Sequence, residues 1–447
     1  MHNYPQTMYH FNTLKEAILF NTQETLPNDP DQLDREIENL VSQANQSGEL
    51  IRHYIGFEIS GHIHLGTGIS SALKIKKLQD AGVKCSIFLA DYHTYLNNKL
   101  DGSFETIRKV AKEYFGPVMM LCCEVTGCDV SQIDLVLAQD LYSGTRNGES
   151  FWSFDMKIGK ELTLNRVLKS ISVMGKEAGE NVAFSTLRYP VMQVSDAFFM
   201  QTHIVHAGLD QRKCHVLMRE TAHKLDDKFA IKLGNSSIKP IASHHSLLLG
   251  LEKPKETIIE TNELTIEEQR NLSYLQAEVA EQGTVNLSEI DQTVAKTTIE
   301  LINLHHAKTV EVNKMSKSKP DSCIFVHDSV NEIKRKLKKA YCPLPRPDEQ
   351  SLAEIEAEQL WNPLLDWCKK MVFPAGKTIN IIRKEEWGGN ATYHDFEHLK
   401  QDYFSGKIHP MDLKNALSET LTDWFELIRD WSDLNPDIIE LVFMKRK

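Results

Sequence analysis

The sequence predicts an α/β protein: a doubly wound parallel sheet, with an α-helical domain following it. Three observations predict it. Tyr54-Ile55-Gly56-Phe57 reads as a short strand running into a glycine-containing loop, and Ser70 to Leu78 has helical spacing. After the Ala81-Gly82 break, Val83 to Ala90 is a continuous apolar run, the pattern of a strand buried on both faces. Strand, glycine loop, helix and buried strand form a βαβ unit, so a Rossmann-like sheet is the natural architecture. Beyond Pro343, Pro345 and Pro347 the pattern is mainly helical to Lys447, with Trp361, Trp367, Trp424 and Trp431 as packing anchors.

The remaining segments divide around that unit. Residues 1–50 are expected to form a partly helical N-terminal extension: Asn28-Asp29-Pro30 is a break, and from Leu33 to Gln46 the residues Ile37, Leu40 and Val41 share one helical face. Residues 51–252 carry the sheet. The stretch 253–310 is rich in Glu, Gln and Thr, with expected helices at 266–282 and 287–306, and reads as a helical insertion. Residues 311–342 supply a Lys/Ser loop and a linking helix, and 343–447 the C-terminal domain.

A chain of 447 residues with 41% hydrophobic and 25% charged residues is an ordinary globular protein of two or three domains. No window reaches the roughly 18 apolar residues of a membrane helix, and Met1 to Gln6 shows no secretory pattern, so a cytoplasmic location is expected. Eight cysteines without a framework suit a reducing compartment. Cys122, Cys123 and Cys128 lie close together but lack a Cys-x-x-Cys pair or matching His spacing; buried thiols, not a metal site, are expected. The net charge of −11 argues against a polyanionic partner only on average. Lys334, Arg335, Lys336, Lys338 and Lys339 crowd one segment, which by itself reads as a solvated helix face.

Two segments carry chemistry. Gly56-Phe57-Glu58-Ile59-Ser60-Gly61-His62-Ile63-His64-Leu65-Gly66 is a strand-to-helix turn where backbone can approach phosphate, and a His there can donate to phosphate oxygens. Lys314-Met315-Ser316-Lys317-Ser318-Lys319-Pro320 combines cations and hydroxyls suited to a triphosphate. Each alone is compatible with plain structure. Together, in this order on this fold, they resemble the HIGH and KMSKS signatures of the class I aminoacyl-tRNA synthetases. The second matches fully at Lys314 to Ser318. The first departs, with Thr67 where the family's second His commonly stands.

From about 51 to 250, and again from 311 to about 430, the chain resembles the tyrosyl enzymes of archaea and eukaryotes. The resembling segments are Leu89 to Asn97 (holding His93), Tyr189 to Asp196, and Gly208-Leu209-Asp210-Gln211-Arg212-Lys213. The resemblance implies a substrate phenol hydroxyl read by Tyr54 and Asp196, with His93 in the same pocket. It gives the α-amino group to Tyr189, Gln193 and Gln211, and the ribose to Asp210. Tyr189, Gln193 and Asp196 stand at i, i+4 and i+7, one face of a helix. ATP, accompanied by Mg2+, is expected at Gly56, His64, Gly66, Gly208, Asp210, Lys314, Ser316, Lys317 and Ser318. His64, Lys314 and Lys317 are the implied catalytic donors.

Trp387-Gly388-Gly389 and Lys407 to Asn415 resemble the family's anticodon-reading segment, so the C-terminal domain is expected to bind the anticodon. By that resemblance Asp412 accepts from the first anticodon base, with Trp387 and His409 stacking nearby. His409-Pro410 with Asp412 is also a plain helix start. Arg212 and Lys213 are expected to meet the acceptor stem. The implied activity is activation of tyrosine with ATP and its transfer to tRNA(Tyr), by a homodimer without membrane attachment. A tryptophanyl enzyme and a non-catalytic, RNA-binding synthetase relative are the alternatives.

Overall fold

The computed structural model describes residues 8–174, 183–253, 255–258, 308–311, 315 and 319–443. Six strands form the central sheet: β1 Thr22–Leu26, β2 Arg52–Phe57, β3 Lys84–Leu89, β4 Ile133–Leu137, β5 Ile204–Gly208 and β6 Ile241–His245. Their order is β1-β6-β5-β2-β3-β4; β2 through β6 run parallel, and β1 pairs antiparallel with β6. From β2 the chain winds outward through β3 and β4, then returns to the other side of β2 with β5 and β6. The winding reverses between β2 and β5. In open α/β sheets the crevice beyond the carboxyl ends of such a strand pair is where ligands bind.

The helices that matter to the site are α1 Phe11–Leu19, α2 Pro30–Ser47, α3 Ile69–Asp80, α4 Arg188–Phe199, α5 Arg212–Ala222, α6 Val330–Lys339 and α7 Pro410–Trp424. The predicted βαβ unit is β2–α3–β3. Helix α3 is buried along most of its length, from Ile69 to Ile75 and at Leu78, which is why its sequence shows so little amphipathic contrast. Helix α2 begins at Pro30, where the Asp29 side chain accepts from the Gln32 N–H, and turns Leu33, Ile37, Leu40 and Ala44 inward.

The N-terminal fifty residues are less of an extension than the sequence suggested, because Thr22–Leu26 is the edge strand of the main sheet. Thr-Gln-Glu-Thr-Leu has no apolar run, as befits an edge strand with one polar side. Lys74 of α3, itself buried, fastens this segment: its ammonium donates to the carbonyls of Ile18 (2.5 Å) and Phe20 (3.0 Å) and to the Thr22 hydroxyl (2.9 Å). Those carbonyls end α1; the Thr22 hydroxyl also lies 2.7 Å from that of Ile18 and 3.3 Å from that of Phe20, so the helix end is multiply satisfied.

Lys255–Ile258 pairs antiparallel with Lys308–Glu311, Ile258 standing opposite Lys308, so the chain leaves and re-enters the fold at adjacent points. The helices expected at 266–282 and 287–306 lie outside the described residues. Toward the C-terminus, helices are interrupted by a short antiparallel pairing of Ile379–Ile381 with Ala391–Tyr393. The Trp367 indole donates to the Leu249 carbonyl (2.9 Å) and the Trp424 indole to that of Val125 (2.8 Å), tying the C-terminal helices to the sheet-bearing half. The basic run on α6 is exposed at Lys334, Lys338 and Lys339, but Lys336 turns inward to Asp328, 2.5 Å away. Cys122, Cys123 and Cys128 are buried thiols. Among the described residues no helix is long and apolar enough to cross a membrane.

Candidate active site

A cleft of about 400 Å³ opens at the reversal between β2 and β5. Its wall from the end of β2 includes Tyr54, Gly56 and Glu58, and its wall from the end of β5 includes Gly208, Asp210 and Gln211. His93, Tyr189, Gln193, Asp196, His64 and Gly66 also face it. Of the residues predicted to bind tyrosine or ATP, all that fall among the described residues line this one space. Lys314, Ser316, Lys317 and Ser318 lie outside the described residues.

At the closed end Asp196 is buried on α4. One of its oxygens accepts the Tyr142 hydroxyl at 2.8 Å; the other lies 3.7 Å from His93 Nε2. Burial raises the Asp196 pKa well above the carboxylate range, and the Tyr142 hydrogen bond opposes that rise. Burial pulls His93 down to about 3, so its imidazole is neutral. Burial and the nearby Asp196 hold the Tyr54 hydroxyl protonated. A hydroxyl and a carboxyl group therefore share a buried pocket, which suits a group that both donates and accepts.

One turn along α4, the Gln193 amide donates to Gln211 Oε1 (3.1 Å), while its own Oε1 is buried without a partner among the described residues. Two turns from Asp196, the Tyr189 hydroxyl donates to Glu58 Oε1 at 2.8 Å, an oxygen that also accepts from the Asn97 amide at 2.8 Å. An ammonium group placed here meets oxygen acceptors. Beside it, Asp210 lies exposed just past β5 and accepts from the Gln211 amide at 3.0 Å. A Cβ at Gly208 would sit 2.4 Å from Asp210 Oδ1, so glycine is what lets that carboxylate fold back over the strand end.

The first signature segment meets, through its backbone, the stretch that follows the second. The Leu65 N–H donates to the Ile324 carbonyl (3.1 Å), the Val326 N–H to the Ile63 carbonyl (3.0 Å), and His64 bridges Phe325. The His64 ring lies against Gly66, where a Cβ would be 3.2 Å from it and 3.9 Å from the Met315 sulfur. Met315, the described residue of the Lys314–Ser318 motif, thus reaches the His64 turn. Thr67 steadies the imidazole: its N–H donates to His64 Nδ1 (3.3 Å) and its hydroxyl lies 3.2 Å from Nε2.

The groups predicted to meet RNA lie elsewhere. Arg212 opens α5, and its Nε donates to both carboxylate oxygens of Glu24 at 2.9 Å; Lys213 beside it is half-buried. In the C-terminal half, His409 caps α7, its Nδ1 accepting the Met411 N–H at 3.2 Å, so the plain helix start is real. Asp412 in the first turn lies 3.1 Å from Arg383, which also donates to the carbonyls of Lys407 (2.7 Å) and Gly389 (2.9 Å). The Trp387 ring is 64% exposed, enough to offer a free face to an unpaired base.

Tyr142, Glu58 and Arg383 are the functional neighbours that sequence reasoning missed. Glu58 had a visible signal, a carboxylate two residues beyond Gly56 at a strand end. Tyr142 and Arg383 had none, since each meets its partner only through tertiary folding.

The family model described as tRNA synthetases class I (W and Y) matches residues 46–255 and 276–426. The tyrosine–tRNA ligase of Pyrococcus furiosus is 40% identical over 396 residues, covering 88% of this chain and 90% of that one. The tyrosyl-tRNA synthetase of Pyrococcus horikoshii, solved with L-tyrosine, superposes with a TM-score of 0.73 at 36% identity, covering 97% of this chain and 99% of that one. A tryptophanyl-tRNA synthetase from Aeropyrum pernix shares the fold alone, with a TM-score of 0.55 at 16% identity over 93% of this chain and 86% of that one. With a family match on both sides of 256–275 and near-complete coverage of such relatives, the chain belongs to the class I tRNA synthetases of the tryptophan and tyrosine family, among the tyrosine–tRNA ligases.

Proposed function

We propose that the cleft binds tyrosine with its phenol between Tyr54 and Asp196, its ammonium among Tyr189, Gln193 and Gln211, and its carboxylate toward ATP. The observation that carries this reading is the buried Asp196, without a cationic partner among the described residues, at the closed end of a cleft that opens toward Asp210 and His64. A buried carboxylate is costly unless something donates to it, and a ligand phenol supplies a second donor beside Tyr142.

The tyrosine carboxylate oxygen attacks the α-phosphorus of ATP; the bond to the bridging oxygen breaks, and tyrosyl-adenylate and pyrophosphate form. Mg2+ comes with the triphosphate as part of the substrate. Asp210 holds the ribose, His64 donates to the phosphates, and Lys314 and Lys317 stabilise charge on the departing pyrophosphate, the last two by family resemblance. The terminal ribose hydroxyl of tRNA(Tyr) then attacks the carbonyl carbon, and AMP leaves. Positioning and charge stabilisation account for such catalysis without a covalent enzyme intermediate. Arg212 and Lys213 meet the acceptor stem, Asp412 with Trp387 and His409 the anticodon, and two copies of the chain form the working enzyme.

Two transcripts differing only in the first base pair test the tRNA part. The enzyme charges the cytosine–guanine form in preference to the reversed pair; equal charging overturns that assignment and leaves tyrosine activation standing.

A further inference from the structure

The N-terminal edge strand lies outside the residues matched by the family model, which begin at 46, yet it pairs with β6, whose His245 lines the cleft. Strand β1 pairs with β6 as Thr22↔His245 and then Glu24↔His244, so Gln23 is an extra residue on one side, a β-bulge. Bulges re-aim side chains and recur beside active sites. Here the bulge sets Glu24 opposite His244 and toward Arg212. The Glu24 side chain is 12% exposed, and both of its oxygens accept from Arg212 Nε at 2.9 Å. His244 Nδ1 stands 3.4 Å from the same carboxylate and, through Nε2, 3.0 Å from His215 Nδ1, whose ring faces the cleft. Burial pushes Glu24 up, but hydrogen bonds from His244 and Arg212 outweigh it and hold the carboxylate below its ordinary range, hence ionised at neutral pH.

The manner of the grip matters. Glu24 takes the guanidinium by its Nε side, leaving the two terminal nitrogens, the edge that grips a phosphate, on a side chain that is still 28% exposed. An arginine held so has lost most of its rotamer freedom before RNA arrives, a cost otherwise met on binding.

We propose that Glu24 is a positioning residue for the transfer step: it presets Arg212, from a strand outside the family match, to receive a phosphate of the tRNA acceptor end. This rests on the reading of Arg212 as an acceptor-stem contact. Glu24 touches neither tyrosine nor ATP, and its effect passes through the orientation of another side chain.

The test compares Glu24→Gln, Glu24→Ala, Arg212→Ala and the Glu24→Ala/Arg212→Ala double variant in the full chain. Two rates are read, tyrosine-dependent pyrophosphate exchange and single-turnover transfer from preformed tyrosyl-adenylate to a tRNA(Tyr) transcript. The expected result is a loss of transfer kcat/KM for tRNA in Glu24→Ala that exceeds any loss of exchange by about tenfold, carried mainly in KM. Glu24→Gln, similar in shape but uncharged, shows a smaller loss of the same kind. The double variant transfers no worse than Arg212→Ala, because a residue acting through Arg212 has nothing left to act on. Loss of transfer in Arg212→Ala with normal transfer in Glu24→Ala overturns the positioning role while leaving the acceptor-stem reading intact. Normal transfer in Arg212→Ala overturns that reading itself, and equal losses of exchange and transfer in both Glu24 variants make Glu24 a general structural support instead.

Discussion

Asp196→Ala removes the acceptor of two hydroxyls at once, and the two losses appear in different assays. In the free enzyme one carboxylate oxygen accepts the buried Tyr142 hydroxyl at 2.8 Å. Leaving that hydroxyl unpaired costs about 1–3 kcal/mol of stability. Removing a carboxylate that burial disfavours offsets part of this, so the net change in melting temperature is small. On the proposed reading the other oxygen accepts the substrate phenol in the complex, and its loss falls wholly on tyrosine use. At about 2 kcal/mol, that loss is roughly thirtyfold in kcat/KM. Phenylalanine brings no hydroxyl and loses nothing, so the ratio of tyrosine to phenylalanine activation falls by the same factor. The starting ratio for such discrimination was set on a tyrosyl enzyme at about 10⁵, which leaves ample room to measure the fall. Pyrophosphate exchange over a range of both amino acids, with a melting curve of the same preparation, is the assay. An unchanged ratio in a variant that melts normally would refute the assignment of Asp196.

Asp196→Asn probes the same site by pH. Because burial raises the folded pKa above the ordinary 3.8, the carboxyl stabilises the fold below that value, and this contribution is lost as pH rises through the folded pKa. The neutral amide has no such loss, so the melting temperature of Asn relative to wild type is more favourable at pH 7 than at pH 4; a difference independent of pH contradicts the shift. In the C-terminal half, Asp412→Ala weakens discrimination at the first anticodon base by about 1–3 kcal/mol in charging assays. Arg383→Ala, which frees the Asp412 carboxylate to reorient, causes a loss of the same kind; retained discrimination in both variants removes Asp412 from the anticodon site. Replacing 259–307 by an Asn-Gly turn between Ile258 and Lys308 closes the observed strand pair as a hairpin and leaves tyrosine activation largely intact. A folded deletion variant that forms no adenylate shows that the segment belongs to the active site.

The βαβ unit from Tyr54 to Ala90 was legible because a parallel strand buried on both faces writes a continuous apolar run. Helix α4 was legible through the family resemblance of Tyr189 to Asp196, with which the helical spacing of Tyr189, Gln193 and Asp196 agrees. Strand β1 was not, since a five-residue edge strand with a bulge carries almost no alternation, and its pairing is set by β6, over two hundred residues away in sequence. Lys336 misled within its basic run: a single charge turned inward toward Asp328 looks in sequence like its solvated neighbours. The contacts that orient the site, Tyr142 on Asp196, Glu58 on Tyr189 and Thr67 on His64, divide by separation. The last spans three residues and was open to inspection, whereas the first two join segments 54 and 131 residues apart.

The central claim is that a buried hydroxyl-and-carboxylate pocket at a β-sheet switch point selects tyrosine for activation by ATP. Its most direct test is pyrophosphate exchange into ATP with each of the twenty amino acids offered separately to the full chain. Tyrosine alone supports rapid exchange on this account, with phenylalanine lower by several powers of ten. Rapid exchange with tryptophan, or with none of the twenty, contradicts it.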